Sequence, residues 1–253
     1  MGELKIKKKE IGSGRPLLCV PVMEERTKDV VREMRYLSES CADMIEWRVD
    51  AYGQYGDCNA VREVLERAAE LFKDRIFLYT FRSRKQGGLA QASAEQLKDL
   101  YDLAAESGCV DLADFEYFEE THPHHRIRQL KKKGLRVVAS HHDFERTPET
   151  EVLRMLLEQM CEGEADIVKL AVMPQNEEDV LRLLDVTVWF RRKYPDTPLI
   201  TMSMGRLGSV SRLCGEIFGS CVTFGSHEKP SAPGQYQMDR LCGMLDMIHE
   251  SNQ

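Results

Sequence analysis

Hydrophobic residues gather in eight short runs down the chain: LLCVPV from Leu17, MIEWRVD from Met44, RIFLYTFR from Arg75, VDLADFEY from Val110, RVVASHHD from Arg136, DIVKLAVM from Asp166, LITMSM from Leu199 and CVTFGS from Cys221. Their length and their Val, Ile, Leu and Phe content predict strands. Between them apolar positions recur at helical spacing, as in Val152, Leu153, Leu156, Leu157 and Met160, and then Val180, Leu183 and Leu184. Helix-start signals precede several of these stretches. Ser93 with Gln96 reads as a capping box, Thr147-Pro148 as an N-cap with proline in the first turn, and Asn176 as a further cap. Strand and helix alternate eight times, which implies right-handed crossovers and a parallel sheet. Eight repeats in 253 residues favour an α/β fold closed into a (β/α)8 TIM barrel over an open doubly wound sheet. No G-x-G-x-x-G follows the first strand to support dinucleotide binding. The first sixteen residues, with Gly12, Ser13 and Gly14, precede the barrel and are expected to form a short hairpin closing its bottom. No domain boundary is visible, so residues 1–253 read as a single catalytic domain.

Composition narrows the partners. The formal charge of −7 is spread over mixed-sign stretches, and the one basic patch, Lys5 to Lys9, is too short to track nucleic-acid phosphates. Eight cysteines occur singly, with no C-x-x-C pair and no secretory leader, so reduced thiols and a cytoplasmic location are expected. No apolar run approaches the ~18 residues of a membrane helix, so no membrane partner is expected.

In a parallel barrel the working groups sit at the carboxyl ends of the strands. Polar residues of this chain fall there. Alternation sets Glu46, Arg48 and Asp50 on one face of the second strand and Trp47 and Val49 on the other. Thr80 with Arg82, and Asp114 with Glu116, repeat the pattern on the third and fourth strands, which predicts a polar pocket rather than isolated ion pairs. Lys169 stands mid-strand among aliphatic neighbours, where a lysine is rarely buried unless paired or working. Two readings follow. It is salt-bridged to Glu46 or Asp114 inside the barrel, or it is a desolvated amine, kept nucleophilic toward a ketone by burial and by Arg48 and Arg82. The fifth strand ends in Ser140-His141-His142-Asp143, and adjacent histidines point to opposite sides, so one of the two can enter the pocket as a proton shuttle. Parity alone does not choose between them.

Three further histidines, His122, His124 and His125, lack a companion carboxylate or cysteine at ligand spacing and read as the start of a solvated basic helix rather than a metal site. Carboxylates in the pocket itself face Lys169, Arg48, Arg82 and Arg212, which oppose a divalent metal. After the seventh strand GRLGSVSRLCGE puts Arg212 in the seventh helix or its leading loop. After the eighth, GSHEKPSAPGQ has glycine and proline at both ends, as suits a loop that closes over a ligand. Its Ser231 and Gln235 are candidate carboxylate ligands beside Arg212, whose planar fork fits that group.

Taken together, EWRVD at Glu46 to Asp50, TFRS at Thr80 to Ser83, SHHDF at Ser140 to Phe144, KLAVMPQ at Lys169 to Gln175, ITMSMGRLGSVSRLCGEIFGSCVTFG at Ile200 to Gly225 and SAPGQ at Ser231 to Gln235 resemble type I 3-dehydroquinate dehydratase, in family order over nearly the whole chain. The resemblance implies dehydration of 3-dehydroquinate to 3-dehydroshikimate in the shikimate route of aromatic amino-acid biosynthesis, with no metal and no cofactor. It implies a Schiff base on Lys169 with His142, rather than His141, as general acid and base in a syn elimination. It assigns Arg212, Ser231 and Gln235 to the substrate carboxylate, and Glu46, Arg48 and Arg82 to ring hydroxyls and the imine surroundings. A homodimer is expected. Three positions depart from the family pattern: Gln86 where Glu is common, Pro21 where Ser is common, and His141 where Asn often stands. The competing expectations are another class I aldolase, which would need a phosphate site in the last two βα loops, where Gly205 and Gly208 follow strand seven but the Ser231/Gln235 pair after strand eight suits a carboxylate, and a metabolite-binding barrel without chemistry, which would need neither the amine nor the proton shuttle.

Overall fold

A computed structural model describes residues 4–12 and 14–253 of the chain. Two short strands, β1 (Leu4–Ile6) and β2 (Lys9–Ile11), pair antiparallel as a hairpin. Eight parallel strands follow, and each falls inside one of the hydrophobic runs: β3 (Leu17–Val22), β4 (Met44–Arg48), β5 (Ile76–Thr80), β6 (Leu112–Glu116), β7 (Arg136–Asp143), β8 (Ile167–Val172), β9 (Leu199–Ser203) and β10 (Val222–Phe224). The ladder runs β10-β3-β4-β5-β6-β7-β8-β9. Its two ends meet where Cys221 N donates to Leu199 O at 2.8 Å, and the Ser220 hydroxyl bridges the backbone N and O of Thr201 across the same seam. The result is the expected (β/α)8 barrel.

Strand alternation divides the buried apolar residues into two bodies. Outward positions such as Trp47, Phe77, Ala113, Ala139 and Leu170 pack against the helices. Trp47 is fully buried and meets Tyr52 and Tyr79 edge-on, at ring distances of 5.7 and 5.6 Å. Truncating such a residue costs about 3–5 kcal/mol. Inward positions are apolar at the barrel bottom, with Met44, Ile76, Leu112, Val138 and Ile167 in one cluster. Ile6 and Ile11 of the hairpin join that cluster, so the hairpin plugs the bottom as expected. Toward the carboxyl ends the inward residues turn polar. Since the bottom is closed by aliphatic side chains, a ligand can reach Glu46, Asp114 and Lys169 only from the top.

The helices are α1 (Thr27–Ser38), α2 (Cys58–Leu71), α3 (Ala94–Glu106), α4 (Pro123–Lys132), α5 (Thr150–Glu162), α6 (Glu177–Lys193), α7 (Gly215–Phe218) and α8 (Met238–Ser251). Ser93 and Gln96 form the capping box at α3, and Asn176 caps α6 through Asp179 N. The cap expected at Thr147-Pro148 is not there. Helix α5 begins two residues beyond Pro148, with Glu149 as its N-cap, while Thr147 is buried in the preceding loop with its carbonyl taken by Arg182. The seventh crossover is unusually short, a 3-10 turn over Leu207–Arg212 followed by the single turn of α7. Among the described residues no helix is long and apolar enough to cross a membrane, and all eight cysteines are free.

Candidate active site

At the carboxyl ends of β4 to β8 the inward polar side chains form one network. Lys169 is 3% exposed, and its Nζ lies 3.3 Å from Asp114 Oδ2, 3.9 Å from Glu46 Oε1 and 4.4 Å from the centre of the Phe224 ring. Both carboxylates named for the salt-bridge reading are therefore present. Each is shared: Glu46 accepts from Thr80 Oγ1 at 2.9 Å, and Asp114 accepts from Arg82 at 2.7 Å and Ser140 Oγ at 2.6 Å. Burial alone would push the Asp114 carboxyl up. Arg82, Lys169 and Ser140 outweigh it and hold the group below its ordinary range.

The two arginines expected to flank the amine as free cations are both neutralised. Arg82 spans Asp114 and Glu116. Arg48 is gripped by both oxygens of Asp50 at 2.8 Å, an arrangement that fixes the plane of its guanidinium. Asp50 does not line the pocket as the strand pattern suggested, because β4 ends at Arg48 and the chain turns into a 3-10 helix over Val49–Ala51. It serves as an anchor instead, accepting from Arg48 and from the backbone N–H of Arg82 and Leu89.

The structure places His142 in the pocket and His141 on the outer side, edge-on to Phe118 at 5.2 Å. Register pairs Ser140 with Lys169, so His142 stands two residues further along β7, about one pleat above the amine. Its partner is Gln86, from the 3-10 turn Arg84–Gln86. Gln86 Oε1 accepts from the backbone N–H of His142 at 2.9 Å and lies 3.1 Å from Nδ1. A backbone N–H only donates, so the contacting atom is the amide oxygen. Nδ1 must then carry the hydrogen, which leaves Nε2 with its lone pair. Burial, reinforced by Arg82 and Lys169, pushes the imidazole well below its ordinary pKa and keeps it neutral. Gly87, at φ 81°, closes the turn with its Cα against the Phe144 ring, where a Cβ would stand 2.3 Å from a ring carbon.

Arg212, on the 3-10 turn after β9, is 1% exposed and has no salt-bridge partner among the described residues. Its contacts are the carbonyls of Pro233 at 3.1 Å and Phe224 at 3.5 Å and, weakly, Met202 Sδ at 3.8 Å, and its Nε is buried without a partner. Burial pulls the guanidinium down to about 10. A desolvated cation lacking a counter-charge is the most direct sign of an anionic ligand. Ser231 and Gln235 line the pocket and are bonded to each other, Ser231 N to Gln235 Oε1 at 2.8 Å and Gln235 Nε2 to Ser231 Oγ at 3.0 Å. Their loop docks on the β9 loop through Gly234, whose Cβ would fall 2.2 Å from Gly205 O. The cavity measures about 30 Å³, room for little more than water. A ring-sized ligand needs more room than this cavity holds, and Ser231, Ala232 and Gln235 form one of its walls.

Of the sequence candidates, Glu46, Arg48, Arg82, His142, Lys169, Ser231 and Gln235 line one pocket, with Arg212 directly behind Phe224 and the Ser231 loop. Ser140 and Phe224 received no role from the sequence. Parity on β7 and β10 carried the signal for both, since each falls on the inward side. His124 and His125 are turned to Tyr117 and Gln129.

Comparison with known proteins gives the family. The family model for Type I 3-dehydroquinase matches residues 18–252. A 3-dehydroquinate dehydratase of Clostridioides difficile (strain 630) is 41% identical over 250 residues, 98% of each chain. One of Bacillus subtilis (strain 168) is 36% identical over 252 residues, 99% of each. The crystal structure of the type I 3-dehydroquinate dehydratase from Clostridium difficile, solved with covalently modified comenic acid, superposes with a TM-score of 0.95 over 99% of this chain and 100% of that one. A relative from Geobacillus kaustophilus HTA426 superposes equally well, at 0.95 and 33% identity over 99% of this chain and 98% of that one. Family model, full-length identity and superposed barrel all agree, and the chain belongs to the type I 3-dehydroquinases.

Proposed function

We propose that this chain dehydrates 3-dehydroquinate to 3-dehydroshikimate through a Schiff base on Lys169. The observation that carries the reading is a primary amine buried at the mouth of a barrel, with a neutral histidine one pleat above it and an unpaired arginine beside the lid. Lys169 Nζ attacks the ring ketone, and loss of water gives an iminium. The positive nitrogen acidifies the adjacent C–H, and Nε2 of His142 takes that proton to leave an enamine. The imidazolium then returns the proton to the departing hydroxyl on the same face. Hydrolysis releases the conjugated enone and restores the amine, so one water is lost overall. Arg82, held by Asp114 and Glu116, and Arg48, held by Asp50, present fixed donors to the ring hydroxyls. Arg212, Ser231 and Gln235 take the carboxylate once the loop exchanges its internal hydrogen bonds for the ligand. The reading includes a cytoplasmic homodimer, the assembly being open to light scattering on a sizing column.

Mixing protein with 3-dehydroquinate and following the ultraviolet absorbance of the enone tests the reaction. Borohydride then traps the imine, and a reduced adduct on Lys169 is the expected product. Enone formation with no adduct would point to an enolate route instead.

Arg212→Gln is expected to raise KM about 10- to 100-fold, since a buried charge-assisted contact is worth roughly 1.5–3 kcal/mol. An unchanged KM removes Arg212 from carboxylate binding.

Position 86 controls the pH profile. Burial, Arg82 and Lys169 hold the His142 pKa well below its ordinary value and the neutral Gln86 places no opposing charge beside Nδ1, so turnover falls only as the pH drops through that depressed pKa. Gln86→Glu puts a carboxylate in hydrogen-bond range of Nδ1, stabilises the imidazolium, and moves the acid limb of the kcat profile to higher pH. Superimposable profiles would refute this role.

A further inference from the structure

A second cavity, of about 340 Å³, lies outside the barrel wall between the carboxyl ends of β5 and β6 and helices α3 and α4. It is far larger than the space at Lys169 and falls within the roughly 300–1,000 Å³ typical of small-molecule pockets. Its floor is apolar and largely aromatic. Phe81, Phe115 and Tyr101 are each 6% exposed or less, and Leu97 stands beside them. The rim carries both signs of charge, Lys85 and Arg126 against Glu116, Glu119 and Glu120.

The rim groups differ in how they are occupied. Glu116 is held by Arg82 and by the backbone N–H of Ser83, and Glu119 is held by Lys85 at 2.9 Å. Arg126 has no salt-bridge partner among the described residues. Its guanidinium carbon stands 5.8 Å from the Tyr101 ring centre, and one nitrogen reaches Gln129 at 3.3 Å. Glu120 accepts only a long backbone bond, from His122 N at 3.3 Å. A free guanidinium suits a carboxylate, a free carboxylate suits an ammonium, and the aromatic floor suits a ring. A plain aromatic acid would leave Glu120 unanswered, and a plain aromatic amine would leave Arg126 unanswered.

We propose that this cavity binds a small zwitterion of the aromatic α-amino acid class, its ring on Phe81, Phe115 and Tyr101, its carboxylate on Arg126, and its ammonium toward Glu120. Calorimetric titration of the full chain with L-phenylalanine and L-tyrosine tests it, with phenethylamine and 3-phenylpropionate as ligands that each lack one charge. Leu97→Trp fills the cavity and Arg126→Gln removes the free cation. Neither residue belongs to the catalytic pocket, and circular dichroism reports whether each variant folds. Saturable binding of at least one amino acid is expected. Affinity should fall about tenfold or more in Arg126→Gln and for phenethylamine, as loss of a charge-assisted hydrogen bond implies, and binding should vanish in Leu97→Trp. The proposal is overturned by absence of saturable binding for both amino acids, or by unchanged affinity in a folded Leu97→Trp. Should that variant fail to fold, equal affinity of Arg126→Gln and the parent chain overturns it.

Discussion

Lys169→Met should lower kcat for 3-dehydroquinate by at least about 10⁴-fold, the scale seen when a covalent nucleophile is removed, and should abolish the borohydride adduct. Methionine matches the length of the lysine stem, so the barrel interior keeps its packing. Electrostatics do not stay the same. Asp114 retains Arg82 and Ser140, but Glu46 keeps only the Thr80 hydroxyl once the amine is gone. A loss of stability of up to about 3 kcal/mol is expected from this uncompensated buried carboxylate, and assays belong well below the variant's melting temperature. Turnover at the parent rate by the folded variant would end the Schiff-base proposal.

His142→Ala separates proton transfer from imine formation. Removing a positioned general acid and base typically costs 10²- to 10⁴-fold, so kcat should fall by roughly that factor. Lys169 is untouched, and borohydride should still trap an adduct with substrate or product. The pair of outcomes matters more than either alone. Slow turnover with a trappable imine assigns His142 to the elimination, whereas loss of the adduct would give it a part in forming the imine. Parent-like kcat would hand the proton to another group. The geometry favours the first result, because Gln86 fixes the proton on Nδ1 and leaves Nε2 free to act.

Much of this arrangement was legible along the chain because it depends on local periodicity. Strand alternation reads directly as inward and outward faces, so MIEWR assigns Glu46 and Arg48 to the interior and Trp47 to the helices. Alternation stops informing where the strand stops. Asp50 was grouped with Glu46 and Arg48 on parity, yet the chain leaves the strand after Arg48, and Asp50 becomes the clamp on its guanidinium. Thr147-Pro148 carries a valid local helix-start signal, but the helix begins at Thr150 with Glu149 as its N-cap. Motif resemblance selected His142 over His141, which parity could not do, since both faces of a barrel strand are buried.

What the amino-acid order determined by itself was the repeating βα unit, the inward and outward faces of its strands and a lysine set among aliphatic neighbours in the sixth barrel strand, because each follows from spacing within a few residues. Only the tertiary structure decided who neutralises whom. The bonds of Arg82 to Asp114 and Glu116, of Gln86 to His142, and the isolation of Arg212 behind the lid join residues up to 56 positions apart or depend on several loops meeting. Charge pairing is a property of distances through space, and those distances are set when eight strands close on one another.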